Sequence, residues 1–134
     1  MANWLLKTEP SEYSASDLQK AGTCAWDGVA NALALIHLRS FAKGDRVLIY
    51  HTGKEKQIVA TAVCHKPAYA DPKDKSGKLV VVDLKFDQML ARPVTLDAIK
   101  REPAFVGWDL LRIGRLSVVP TPDIMWNRVL QLSR

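Results

Sequence analysis

The sequence predicts an α+β fold, in which a small mixed β-barrel of about five to six strands is surrounded by short peripheral helices. Its 134 residues contain 48% hydrophobic and 25% charged residues, ordinary globular proportions that fit a single domain over 1–134. Stretches rich in β-branched residues alternate with short helical stretches, without repeats or linkers. Strands in such an order must pair with partners that are distant in the sequence, which favours a mixed, barrel-like sheet.

The first predicted strand is followed by a polar loop. Residues 4–6 are apolar, and the strand ends near Thr8 because Pro10 cannot donate a ladder hydrogen bond and keeps the preceding residue extended. Segment 8–13 then offers hydroxyls, carboxylates and an aromatic ring at the end of a core strand, a common way to build a binding site. The alternative is a plain surface loop before a short capped helix that ends at Gly22.

A turn signal, Asp27-Gly28, follows the large aromatic Trp26. The indole either fills the core or forms a wall on which a flat ligand stacks, and the residues alone leave both open. Segment 30–41 carries no Gly or Pro and predicts a helix that is apolar over most of its circumference. His37 on this helix has no spacing partner that would make it a metal ligand.

Segments 46–51 and 57–65 predict a hairpin of two β-branched strands. The two-residue period of a strand places Tyr50 and His51 on opposite faces at the strand end. We therefore expect one of them to line a pocket while the other packs or meets solvent.

The polar segment 67–78 predicts a loop, and Lys73, Lys75 and Lys78 give it a basic rim. These lysines either contact phosphates or form a solvated surface. The remaining segments predict, in chain order, a strand over 79–86, a brief edge strand over 92–94, helices over 95–100 and 106–111, a strand over 115–120, and a helix that begins after Pro122.

The composition also limits the class of protein. A net charge of +5 modestly favours an anionic partner. Cys24 and Cys64 are not in metal-ligand spacing and predict reduced thiols, so we expect a cytoplasmic protein without a metal or cofactor. No segment is typical of a targeting signal or of a membrane span.

Five segments in a fixed order resemble the EVE domain. They are Trp-Leu-Leu-Lys-Thr-Glu-Pro-Ser-Glu-Tyr at 4–13, Trp-Asp-Gly-Val at 26–29 followed by Asn31, Gly-Asp-Arg-Val-Leu-Ile-Tyr-His at 44–51, Pro-Val-Thr-Leu at 93–96, and Arg-Leu-Ser-Val-Val-Pro at 115–120. The resemblance spans nearly the whole chain. It implies a fold of the pseudouridine synthase and archaeosine transglycosylase (PUA) type, related to the ASCH and YTH domains.

The resemblance further implies a non-catalytic module that binds DNA or RNA and reads a flipped, modified base, such as a methylated cytosine or adenine, in an aromatic-walled pocket. The positions that match the pocket-lining segments of the family are Lys7, Thr8, Glu9, Pro10, Ser11, Tyr13, Trp26, Asp27, Asn31, Tyr50 and His51. Trp26 is the first choice for the stacking face, and Asp27 and Asn31 offer partners for the base edge. The lysine rim is expected to contact phosphates.

Two other functions compete with this one. An enzyme of ASCH type, a small hydrolase or nuclease, would use Lys7, Glu9 and His51 as an acid–base set, although the sequence carries no recognised catalytic motif. A protein-interaction module would use the apolar helix 32–41, and a weak homodimer through that helix would be its sign.

Overall fold

The computed structural model describes residues 1–134 and contains one mixed sheet of six strands. The strands are β1 (Asn3–Thr8), β2 (Thr23–Trp26), β3 (Arg46–His51), β4 (Gln57–Ala70), β5 (Val80–Thr95) and β6 (Val118–Pro120). Their order in the sheet is β2-β5-β4-β3-β1-β6. Only the pairing of β1 with β3 is parallel.

The α+β class and the predicted number of strands are confirmed, whereas the predicted closure into a barrel is not seen in the strand pairing. β2 and β6 lie at opposite ends of the strand order and do not pair with each other. They have only four and three residues, so each offers few backbone groups to a further ladder. The sheet is therefore open at both edges.

Five helices and a 3-10 turn accompany the sheet. They are α1 (Ala15–Ala21), α2 (Ala32–Arg39), α3 (Leu96–Arg101), the 3-10 turn Pro103–Phe105, α4 (Asp109–Arg112) and α5 (Asp123–Leu132). Ser14 forms a capping box with Asp17 at the start of α1, and Gly22 ends this helix with a φ of +79°, as the sequence predicts. Thr95 caps α3 through the Ala98 amide.

The strands β4 and β5 are longer than the sequence predicts. The expected loop over 67–78 is wrong for residues 67–70, because Tyr69 and Ala70 still pair with β5, and the loop is confined to 71–79. Pro67 is tolerated because it lies in a register shift between Lys66 and Tyr69, where its missing N–H costs no regular ladder bond. The strand β2, which the sequence pattern did not predict, pairs with residues 82–85 of β5.

One buried carboxylate fixes the start of the central strands. Asp45 is 3% exposed and accepts hydrogen bonds from the Ala2 amide at 3.1 Å, the Trp4 indole Nε1 at 3.0 Å and the Ala42 amide at 2.9 Å. The Trp4 ring stacks on Phe41 with centroids 4.6 Å apart. Asp45 thus ties the first residues of β1 to the turn that precedes β3.

Most of the apolar surface of α2 is used inside the protein. Ala34, Leu35 and Leu38 are buried in the core, and of the large apolar side chains of α2 only Leu33 and Ile36 are exposed, at 38% and 58%. The apolar circumference predicted for this helix is thus mostly core packing, and the predicted homodimer through it stays a prediction. No helix of the structure has the length and apolarity needed to span a bilayer.

The carboxylate of Asp45 generates the first prediction. Asp45→Ala leaves the buried Trp4 indole N–H without a partner and removes the part-buried bonds of the Ala2 and Ala42 amides, so we expect it to lower the free energy of unfolding by about 2–4 kcal/mol. Urea denaturation measures the change. The control is Asp97→Ala, an exposed carboxylate, with an expected change within about 0.5 kcal/mol. Equal effects of the two substitutions would contradict the role given to Asp45.

Candidate functional site

A cavity of about 480 Å³ opens where β1 and β2 end. This first cavity is lined by Lys7, Thr8, Glu9, Glu12, Tyr13, Cys24, Ala25, Trp26, Asp27 and Gly28. Its size lies within the range of roughly 300–1,000 Å³ that is typical of ligand pockets. Six of the eleven pocket positions predicted from the sequence are brought together here: Lys7, Thr8, Glu9, Tyr13, Trp26 and Asp27.

The loop after β1 is folded back on itself by its own hydrogen bonds. The Glu9 carbonyl accepts the amides of Glu12 and Tyr13, both at 2.9 Å, and the Thr8 hydroxyl donates to the Tyr13 carbonyl at 2.7 Å. One Glu9 carboxylate oxygen accepts the Ser11 amide at 3.0 Å. These contacts fix the position of Tyr13 relative to the end of β1, so the loop backbone holds this residue in place at the cavity.

Tyr13 and Trp26 form the aromatic wall of the first cavity. Their rings meet edge to face, with centroids 6.0 Å apart and an interplanar angle of 85°. Trp26 is only 7% exposed and lies opposite Val82 in the sheet, so it is both a core residue and part of the wall. The two interpretations of its sequence position are therefore compatible.

The aromatic wall carries neutral hydrogen-bonding groups. Burial raises the pKa of the Tyr13 phenol, and a hydrogen bond with the Cys24 thiol raises that pKa further. Burial also raises the pKa of Cys24. Both groups stay protonated at neutral pH, so this side of the cavity presents no charge of its own.

Acceptors dominate the charged groups of the first cavity. Glu9, Glu12 and Asp27 bring three carboxylates, against the single ammonium group of Lys7. The Lys7 Nζ donates to the Gly114 carbonyl at 2.9 Å, and burial lowers the pKa of this ammonium group. The first cavity is therefore suited to a neutral ligand with N–H donors and poorly suited to a phosphate.

The predicted lysine rim lies on the loop 71–79, outside the first cavity. Lys73, Lys75 and Lys78 are all exposed, and the Lys73 Nζ lies 3.6 Å from an Asp27 carboxylate oxygen at the cavity mouth. The loop is ordered by Asp74, whose carboxylate accepts the amides of Ser76 and Leu79. One lysine of the rim thus reaches the cavity mouth.

Five predicted pocket positions lie outside the first cavity. Pro10 and Ser11 belong to the loop but do not line the cavity, and Asn31 caps α2 by accepting the Ala34 amide at 3.0 Å. His51 is buried: its Nε2 accepts the Ala15 amide at 3.0 Å, and its Nδ1 lies 3.0 Å from Glu55, whose pKa this contact lowers. Tyr50 lines a different cavity.

Four residues that line the first cavity were not predicted: Glu12, Cys24, Ala25 and Gly28. Glu12 lies within the loop that the sequence singled out. Cys24 and Ala25 belong to β2, a strand that the sequence pattern did not predict. Because β2 has only four residues, its pattern is too short to be identified before its partner strand is known.

Comparisons with known proteins agree with this architecture. The family model described as EVE domain matches residues 2–132. Thymocyte nuclear protein 1 of Rattus norvegicus is 32% identical over 72% of this chain and 54% of its own length, so the chain spans about half the length of that relative.

Two solved structures extend the likeness to the whole chain. The NMR structure of Rpa0253 from Rhodopseudomonas palustris is 41% identical with a TM-score of 0.93, covering 99% of this chain and 93% of that protein. The crystal structure of human THYN1 protein in complex with DNA containing 5-methylcytosine is 27% identical with a TM-score of 0.91, covering 100% of this chain and 98% of that protein. From the family match over residues 2–132, the chain belongs to the EVE domain family.

Proposed function

We propose that this protein is a non-catalytic nucleic-acid-binding module whose first cavity receives one flipped, modified base. The observation that carries the proposal is a cavity with an aromatic wall and an excess of acceptors, in a fold shared with a human protein that was solved with 5-methylcytosine DNA. A base inside a duplex cannot reach such a cavity, so the nucleotide must leave the stack.

The charges of the cavity favour a base with an exocyclic amino group. Cytosine presents a 4-amino donor, and carboxylates are its usual protein partners, whereas thymine presents an acceptor at the same position. Asp27 and Glu12 are the carboxylates free of hydrogen bonds to the protein backbone, although Asp27 lies near Lys73. We infer that methylated cytosine in DNA is the preferred base.

A 5-methyl group would be read by contact. It adds apolar surface without a donor or acceptor, so its recognition depends on the Tyr13 and Trp26 rings and is worth about 1 kcal/mol. The aromatic wall is therefore the part of the cavity that distinguishes 5-methylcytosine from cytosine, and the carboxylates distinguish it from thymine.

The acid–base set considered from the sequence is not assembled. His51 does not line the first cavity and both of its ring nitrogens are engaged, with Ala15 and Glu55. Lys7 donates to the Gly114 carbonyl, and Glu9 accepts the Ser11 amide. These partners favour a binding function over a hydrolase or nuclease.

The first test compares oligonucleotides that differ at one position, which is 5-methylcytosine, cytosine or thymine. We expect the 5-methylcytosine DNA to bind tightest by fluorescence anisotropy, and Trp26→Ala to weaken that binding roughly 10- to 100-fold, because a stacking face is lost. Trp26→Phe keeps a stacking face and should retain part of the affinity. Equal affinity for all three oligonucleotides, unchanged in Trp26→Ala, would contradict the proposal.

The second test separates the two parts of the base. Asp27→Asn removes a charged acceptor whose side chain is 53% exposed, so the fold should survive. We expect the affinity ratio of 5-methylcytosine to thymine to fall several-fold, on the order of one base-edge hydrogen bond. The affinity ratio of 5-methylcytosine to cytosine is the internal control and should stay within about twofold. A fall in both ratios would assign Asp27 a general role in shaping the cavity.

The third test concerns the lysine rim. Lys73→Gln should weaken binding to methylated and unmethylated DNA by the same factor and reduce the slope of log affinity against log salt by about one. Lys43→Gln removes the same charge from an exposed site just before β3, at the end of that strand away from Tyr50 and His51, and is the matched control. Identical salt slopes for wild type and Lys73→Gln would exclude Lys73 as a phosphate contact.

A further inference from the structure

A second cavity, of about 290 Å³, lies beside the first and shares Lys7 with it. Its charged lining consists of three lysines, Lys7, Lys56 and Lys100, without any carboxylate, while three leucines form its apolar part. The charge balance is the opposite of that in the first cavity. The protein therefore has an acceptor-rich cavity and a cation-rich cavity that share the Lys7 side chain.

Tyr50 lines the second cavity and has an unused polar group. The residue is 4% exposed, yet its phenol makes no hydrogen bond within the protein, and burial alone raises its pKa. The Lys7 Nζ lies 5.7 Å from the centroid of the Tyr50 ring. The Tyr50 hydroxyl is accessible from the cavity and has no protein partner, so it is free to donate to an anionic ligand held among the three lysines.

The backbone around the second cavity is firmly held. The Thr52 amide donates to the Thr8 carbonyl at 2.9 Å, and the Leu96 amide donates to the Lys56 carbonyl at 2.8 Å. Gly53 has a φ of +76°, and a Cβ at this position would collide with the Glu9 carboxylate. The loop 52–56 is therefore packed directly against the loop that shapes the first cavity, and the two cavities have a fixed relative position.

We propose that the second cavity binds a phosphate group, with Lys7, Lys56 and Lys100 supplying the charge and the Tyr50 hydroxyl supplying a directional hydrogen bond. The phosphate is the one next to the base held in the first cavity, and in this form the inference rests on the proposed function. The leucines give the attached sugar an apolar surface. Lys7, which lines both cavities, contacts the nucleotide between base and phosphate.

This arrangement resolves an electrostatic conflict in the proposed function. Three carboxylates in the first cavity repel the phosphates that accompany any flipped base. A cation-rich site at a fixed distance compensates that repulsion and sets the position of the backbone, while the base contacts supply the selectivity. The same site would also accept the phosphate of a free phosphorylated small molecule, and the experiment distinguishes the two sources.

The first arm of the experiment uses 5-methylcytosine DNA in which each phosphate near the modified base is replaced in turn by a neutral methylphosphonate. One such replacement should weaken binding to the wild-type protein about 3- to 10-fold, and should have less than a twofold effect on Lys100→Gln or Tyr50→Phe. Each variant should itself weaken binding to unmodified-backbone DNA by about the same factor. Lys43→Gln, with the same loss of charge outside the cavity, should remain sensitive to the replacement.

The second arm titrates the protein with inorganic phosphate and follows backbone amide resonances by NMR. The amides of Thr52, Gly53 and Gly114 should shift in the wild type and in Lys43→Gln, and should not shift in Lys100→Gln or Tyr50→Phe. Tyr50→Phe removes one hydroxyl from a packed ring, so its folded spectrum also serves as the check that the site is intact.

Coupling in the first arm supports the site with a backbone phosphate as its ligand. Phosphate-induced shifts without coupling support the site with a free phosphorylated molecule as its ligand. The absence of both overturns the inference, and selective binding of 5-methylcytosine DNA that is still lost in Trp26→Ala would then leave the proposed function standing. If no DNA binds, the proposed function fails, and the phosphate titration alone decides whether the second cavity is an anion site.

Discussion

The parallel pairing of β1 with β3 is the constraint on which the rest of this structure depends. It runs in unbroken register from Asn3 opposite Arg46 to Thr8 opposite His51, in the interior of the sheet. Both strands point the same way, so the loops that follow them leave the sheet at the same edge. The two cavities lie side by side because these two loops do.

Each end of the β1–β3 pair is held by a buried side chain, Asp45 just before β3 and His51 at its end. The Asp45 carboxylate accepts the Ala2 amide, just before β1, and the Trp4 indole N–H, within β1. The His51 Nε2 accepts the Ala15 amide, the first of α1. Each side chain accepts one buried N–H group that would otherwise be unsatisfied in the core, the Trp4 indole for Asp45 and the Ala15 amide for His51. The helix α1 is in this way fastened to the strand that carries Tyr50, although β2 and α2 lie between them in sequence.

The strand β2, held by the curved β4–β5 pair, forms the side of the first cavity opposite the loop after β1. The register shifts in the β4–β5 ladder allow two long strands to curve, and β2 pairs with β5 so that Trp26 lies opposite Val82. The wall thus consists of one residue from a loop and one from an edge strand. The ring of Trp26 is held in place by core packing, so this part of the wall is preorganised.

The sequence by itself determined the local features of this protein. Pro10 limits the first strand and Gly22 ends the first helix, and the β-branched composition of 46–51 predicts β3. The segment 8–13 with Trp26 supplies half of the residues that line the first cavity. These features depend on φ restrictions, capping and side-chain period, which act within a few residues.

Only the tertiary structure decided which polar side chains face a cavity and which are consumed inside the protein. Asn31 and His51 are residue types that often bind ligands, but here their side chains accept backbone amides of the protein. Asn31 caps α2, and His51 accepts a buried amide of α1. The openness of the sheet, the pairing of β2, and the grouping of Lys7, Lys56 and Lys100 around Tyr50 arise from contacts between distant segments. No local pattern encodes such contacts, because their geometry depends on strand register and on the bends of β4 and β5.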